Sequence, residues 1–191
     1  MRLLMLKDLP RYECLLEAAR EFPDLDPSAT EAFLHLLRSG DEAFRIVESH
    51  LASHNTSQGR FSLLMCLWRA CRTNQVCEPT LSPAELADRT GVTRATITGL
   101  VDTLERDGLV TRTPDLSDGR MMSVRLTAKG ERLLREILPS HFQRMAQLME
   151  PLDEDERRTM VRLLNKITQR AAEAPQKPEP ALPAAELLVH A

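Results

Sequence analysis

A three-residue turn, Gly91-Val92-Thr93, constrains this chain more than any other feature of its sequence. It joins two segments that each carry helix start and stop signals. Upstream, Ser82 can cap a helix, Pro83 suits its first position, and Glu85 completes a capping box. The short helix Pro83–Thr90 turns Leu86 and the small Ala87 inward. Gly91 ends it, since glycine takes positive φ without strain. Downstream, Thr93 caps a second helix whose Ile97, Leu100, Val101 and Leu104 recur at i, i+3, i+4 and i+7, and Gly108 stops it. Two helices joined by a tight glycine-containing turn predict a helix-turn-helix.

The outer face of the second helix begins with Thr93, Arg94, Ala95 and Thr96, followed by Thr98 and Gly99. These side chains are short, hydroxylated or basic. A helix entering the major groove needs short side chains for close approach and donors for phosphates and base edges. Its N-terminal amides also favour phosphate. A plainly solvated face is the alternative, and the next segment decides between them. Leu109 to Thr113 reads as a strand, Pro114 to Arg120 as a turn-rich loop, and Met122 to Leu126 as the returning strand, after which Thr127 caps a new helix. A β-hairpin directly after a helix-turn-helix makes a winged helix. Arg120 near its tip, and Arg112 and Arg125 on its arms, suit phosphate or minor-groove contact.

The flanks are helical. Residues 1–27 form a leader with a short helix, Arg11 to Glu21, broken by Pro23 and Pro27. A long helix follows over about 28–54, capped by Asp26 or Ser28, with Phe33, Leu36, Leu37, Gly40, Phe44, Val47 and Leu51 on one face. Another runs from Gln58 to Thr73 around Phe61, Leu64, Met65 and Trp68. The last two cover Ala128 to about Met149 and Asp153 to about Ala172. Residues 173–191, rich in Pro, Ala and Glu, read as a disordered tail. Only 4% of residues are aromatic, so the core must be aliphatic, which favours helices. The expected fold is mainly α with a small β-wing: a winged helix-turn-helix over about 57–127, with helices at about 28–54 and 128–172 around it. Leu133, Leu134, Ile137, Leu138, Met145, Leu148, Met160, Leu163, Leu164 and Ile167 supply more apolar helix surface than a small winged helix covers, unless they form an intramolecular core.

Net charge is −3, and between Ser82 and Gly130 seven basic residues face seven acidic ones. DNA affinity must therefore come from where charge sits and should be strongly salt-dependent. No Gly-rich phosphate loop, Ser–His–Asp set or metal-ligand cluster is visible, so an enzyme, a cofactor and a metal site are not expected. Cys14, Cys66, Cys71 and Cys77 form no C-x-x-C pair. Cys66 and Cys71 read as inert core residues. No apolar run is long enough for a membrane span or signal peptide, and a cytoplasmic protein is expected.

Leu81 to Ala87, Gly91 to Thr98, Leu104 to Val110, Asp118-Gly119-Arg120 and Leu126 to Gly130 together resemble the MarR-family pattern across about 50 residues, and the flanking helices match its layout over roughly 28–172. The resemblance implies a homodimeric transcription regulator, paired through the long N-terminal helix and the last two helices. It would bind a pseudo-palindromic double-stranded DNA operator. It places base and phosphate contacts on Thr93, Arg94, Ala95, Thr96 and Thr98, and gives Asp118 the task of steadying Arg120. It implies a repressor released by a small phenolic or carboxylate effector. Trp68, Arg60, Arg72, His35 and Arg38 are the candidate pocket residues, rings for an apolar body and guanidinium groups for a carboxylate. Two alternatives remain at this point. One is a thiol-based sensor using Cys14, whose neighbours Arg11, Tyr12 and Arg20 suit a reactive thiol. The other is a protein-interaction winged helix that does not touch DNA.

Overall fold

The computed structural model describes residues 8–73, 80–114 and 122–173. Seven helices and one hairpin occupy them: α1 (Tyr12–Glu21), α2 (Pro27–Ser53), α3 (Gln58–Thr73), α4 (Pro83–Thr90), α5 (Arg94–Arg106), β1 (Val110–Pro114), β2 (Met122–Leu126), α6 (Ala128–Met149) and α7 (Glu154–Glu173). The chain divides into two compact units, 1–145 and 146–191. The expected tail, residues 74–79, the wing loop with Asp118 and Arg120, Cys77, and the side chains of Cys71 and Arg72 lie outside the described residues.

Local chemistry sets the boundaries. Asp26 caps α2, its carboxylate accepting from the backbone N–H of Ser28 and Ala29, which lowers its pKa. Ser82 and Glu85 form the reciprocal capping box of α4, and Gly91 ends that helix at φ 69°. Thr93 caps α5 by accepting from the Thr96 N–H. Asp153 and Glu156 form a second capping box at α7, each accepting from the other's backbone N–H.

β1 and β2 pair antiparallel with Val110 opposite Leu126 and Pro114 opposite Met122. The first strand thus starts one residue later than the sequence indicates. Leu81 adds a single antiparallel pairing on the far side of β2, exchanging backbone hydrogen bonds with Val124 at 3.0 and 2.8 Å. The core of the first unit gathers Leu51, Leu63, Leu64, Leu67, Leu86, Ile97, Val101, Leu104, Val124, Leu134 and Ile137, so α3 lies at its centre. Leu100, expected inside with the rest of the α5 stripe, is half-buried against this core.

Much of the predicted apolar surface outside the winged helix is uncovered. On α2 only the C-terminal end of the stripe is buried, at Leu51, while Phe33 is 56% exposed. On α6, Leu134, Ile137 and Leu138 are buried but Phe142 is 53% exposed. α7 buries no residue and leaves Val161, Leu163, Leu164 and Ile167 exposed. α1 packs on α2 through Leu15, so the leader is tied to the first unit.

Candidate nucleic-acid interface

The turn into α5 places an unbroken run of exposed residues, Gly91 to Thr96, at the helix N-terminus, and continues with exposed Thr98 and Gly99. Ile97 alone turns inward here and is fully buried, which fixes the rotation of the helix. The Thr93 and Thr96 hydroxyls lie 2.9 Å apart, and the Thr98 hydroxyl donates to the Arg94 carbonyl at 3.0 Å. The guanidinium of Arg94 is exposed and has no hydrogen-bond or ion-pair partner among the described residues. No side chain crowds Gly99. Backbone of this face can therefore approach a ligand closely, with one long cationic donor at its leading edge.

Charge on α5 itself is separated along the helix. Asp102 and Glu105, on the C-terminal half of α5, both bind Arg112 of β1. Asp107, the C-cap residue, binds Arg60 of α3 at 2.5 Å. Glu85 is engaged in its capping box. Asp102, Glu105 and Asp107 are thus held away from the N-terminal end of α5, where the helix dipole and Arg94 both favour an anion.

Other expected site residues fall differently. Arg112 points back onto α5: its backbone N–H and its guanidinium both donate to Glu105, and Asp102 accepts from the other guanidinium nitrogen. These partners raise its pKa, the Asp102 hydrogen bond most. It clamps the wing to the helix rather than standing free on the wing arm. Arg125 is half-buried on β2.

The wing is anchored at its other end too. Thr127 donates from its hydroxyl to the carbonyls of Gly108 and Leu109, at 2.8 and 3.1 Å, and Lys129 Nζ donates to the Asp107 carbonyl at 2.7 Å. Gly130 is required there, because a Cβ would stand 2.2 Å from the Leu109 oxygen.

Of the expected pocket residues whose side chains are described, Arg60 borders a cavity that Trp68, His35 and Arg38 do not line. The cavity, of about 480 Å³, is also lined by His54, Asn55, Asp107, Leu109, Lys129, Arg132, Leu133 and Glu136. Trp68 is half-buried against the core, His35 is exposed, and Arg38 is half-buried on α2. Lys129 and Arg132 were not expected here, since only folding brings the start of α6 against the end of α5. Cys66 is half-buried, and burial pushes its thiol pKa up. Cys14 is exposed on α1. Among the described residues no His, Cys, Asp and Glu group fits a metal ion, and no helix is long and apolar enough to cross a membrane.

Comparison with known proteins returns one family model, MarR family, over residues 56–122. The chain is 36% identical to the HTH-type transcriptional repressor YetL of Bacillus subtilis over 165 residues, 86% of this chain and 95% of that one. Among solved structures, Sco3205 of Streptomyces coelicolor, a MarR family regulator in complex with DNA, matches with a TM-score of 0.68 at 20% identity, covering 80% of this chain and 95% of that one. BpsR of Bordetella bronchiseptica, described for regulation of its DNA binding by 6-hydroxynicotinic acid, matches with a TM-score of 0.59 at 23% identity, covering 72% and 98%.

Proposed function

This chain belongs to the MarR family of DNA-binding transcription regulators, and from that premise we propose that it is a homodimeric repressor that a small phenolic or carboxylate ligand releases from a pseudo-palindromic operator. It is a regulator and not an enzyme. The observation that carries the proposal is the α5 N-terminus, where exposed small residues surround an Arg94 with no partner among the described residues, while Asp102, Glu105 and Asp107 are bound elsewhere. In this reading Thr93, Arg94, Ala95, Thr96 and Thr98 meet the major groove. Arg120 and Arg125 meet phosphate or the minor groove, and the protein works in the cytoplasm.

Exposed apolar side chains on α2, α6 and α7 support self-association, since burying each such side chain is worth about 1.5–3 kcal/mol. The cavity holding Arg60, Lys129 and Arg132 supports a carboxylate effector, since guanidinium groups pair with carboxylates bidentately. Exposed Cys14 is what favours a thiol-based signal instead. Loss of an oxidant response in Cys14→Ser would select that reading.

Footprinting upstream of its own gene tests the proposal, with and without benzoate and 6-hydroxynicotinic acid. The expected result is protection of two half-sites about 10 base pairs apart, weakened by an aromatic acid. Absence of any protected site would overturn it.

A further inference from the structure

Three of the five histidines meet at one joint of the first unit, apart from the DNA-reading face. His50, near the end of α2, stacks on His141 of α6 with ring centroids 5.7 Å apart and planes 17° from parallel. His54 meets His50 edge-on at 5.0 Å, and Phe61 of α3 closes over His141 at 4.9 Å. The stacked rings are enclosed: His50 is 4% exposed and His141 9%. Ser140 Oγ lies 3.5 Å from His50 Nε2. The joint sits beside Pro139, which lies inside the continuous helix α6. Proline has no N–H to offer the preceding turn, so this is where the helix bends most easily.

We propose that His50, His54 and His141 form a proton-operated joint, in which uncharged stacked rings pin α2, α3 and α6 together and acquired protons force them apart at Pro139, lowering affinity for DNA. The charged groups facing the cluster favour this behaviour. Arg144 of α6 acts on His50, and His54 and His141 add to it once charged. Glu136 of α6 lies 3.6 Å from His54, but its side chain is mostly hydrated. Phe61, the contact from α3, carries no charge. Burial, above all, holds His50 and His141 below the ordinary histidine value of 6.5, while the Ile137 carbonyl works weakly the other way on His50.

The direction follows from linkage. A base whose pKa is lowered by folding binds fewer protons folded than unfolded. Stability is therefore full above pH 6.5 and is lost as pH falls through the window below it. The joint reaches the DNA-binding elements directly. α6 starts two residues after β2, and α3 packs on α4, α5 and β2.

The test follows melting temperature and operator affinity of the full chain from about pH 7.5 to about pH 5.5, the range in which histidine charges. Wild type should lose both, with affinity falling by up to about tenfold per pH unit for each linked proton. His141→Phe keeps a ring against Phe61 but cannot charge, so both profiles should flatten. A wild-type profile flat in pH, or a His141→Phe profile as steep as wild type, would overturn the joint. A steep melting profile with pH-independent affinity would overturn its link to DNA. The melting arm needs no DNA, so failure of the operator reading is separable. If His141→Phe does not fold, the wild-type ring proton resonances decide. Midpoints of His50 and His141 below 6.5 support the joint, and midpoints at or above it overturn it.

Discussion

Arg112 and Glu105 are joined twice: the Arg112 backbone N–H donates to one carboxylate oxygen at 2.9 Å and its guanidinium to the other at 2.7 Å. One carboxylate of α5 therefore fixes both the strand and the side chain at the base of the wing. Glu105→Ala should cost about 1 kcal/mol of stability, a modest figure because the pair is partly screened by solvent. Both Glu105→Ala and Arg112→Ala should weaken operator binding through a loosened wing, leaving the salt dependence unchanged. If Arg112→Ala alone lowers the salt slope by about one unit, Arg112 meets a phosphate and the clamp is secondary.

Gly130 and Gly99 make a matched pair. Ala at Gly130 would push its Cβ into the Leu109 carbonyl, which already accepts from Thr127. A cost of about 1–3 kcal/mol is expected from overpacking. Ala at Gly99 meets open space in a helix and should stabilise by about 0.5–1 kcal/mol. Melting curves of the two variants check this, and equal melting temperatures would contradict the described junction of α5, β1 and α6.

Ile167 lies exposed on α7 in an apolar row with Leu163 and Leu164. Ile167→Glu should move the protein from dimer to monomer in sedimentation at micromolar concentration while leaving its helix content intact. Affinity for a duplex with both half-sites should then fall by at least about tenfold, as the second half-site no longer gains from linkage. A variant that remains dimeric would remove α7 from the interface.

The elements legible in the sequence were those written in local chemistry. Asp26, Ser82 with Glu85, Gly91, Thr93 and Thr127 mark helix ends through neighbours three or four residues away, and each does so in the structure. What the sequence could not show depends on distant partners. The pairing of Leu81 with Val124, the capture of Arg112 by Asp102 and Glu105, and the meeting of His50 with His141 link residues that only the fold brings together. The surroundings of Arg60 depend on distance in the same way. It pairs with Asp107 across 47 positions, and the cavity it borders is lined by Lys129 and Arg132 of α6.

Arg94→Ala, titrated against cognate and scrambled duplexes, tests the central claim most directly. The α5 N-terminus is held by Thr93 and buried Ile97, so the substitution should leave the fold unchanged, as a melting curve can verify. If Arg94 reads a base edge, cognate affinity should fall by about 1–3 kcal/mol and preference should relax at one position per half-site. Scrambled DNA should lose much less, because phosphate contacts carry no sequence information. Binding of both duplexes with wild-type affinity would contradict the account, for α5 would then not be the helix that reads DNA.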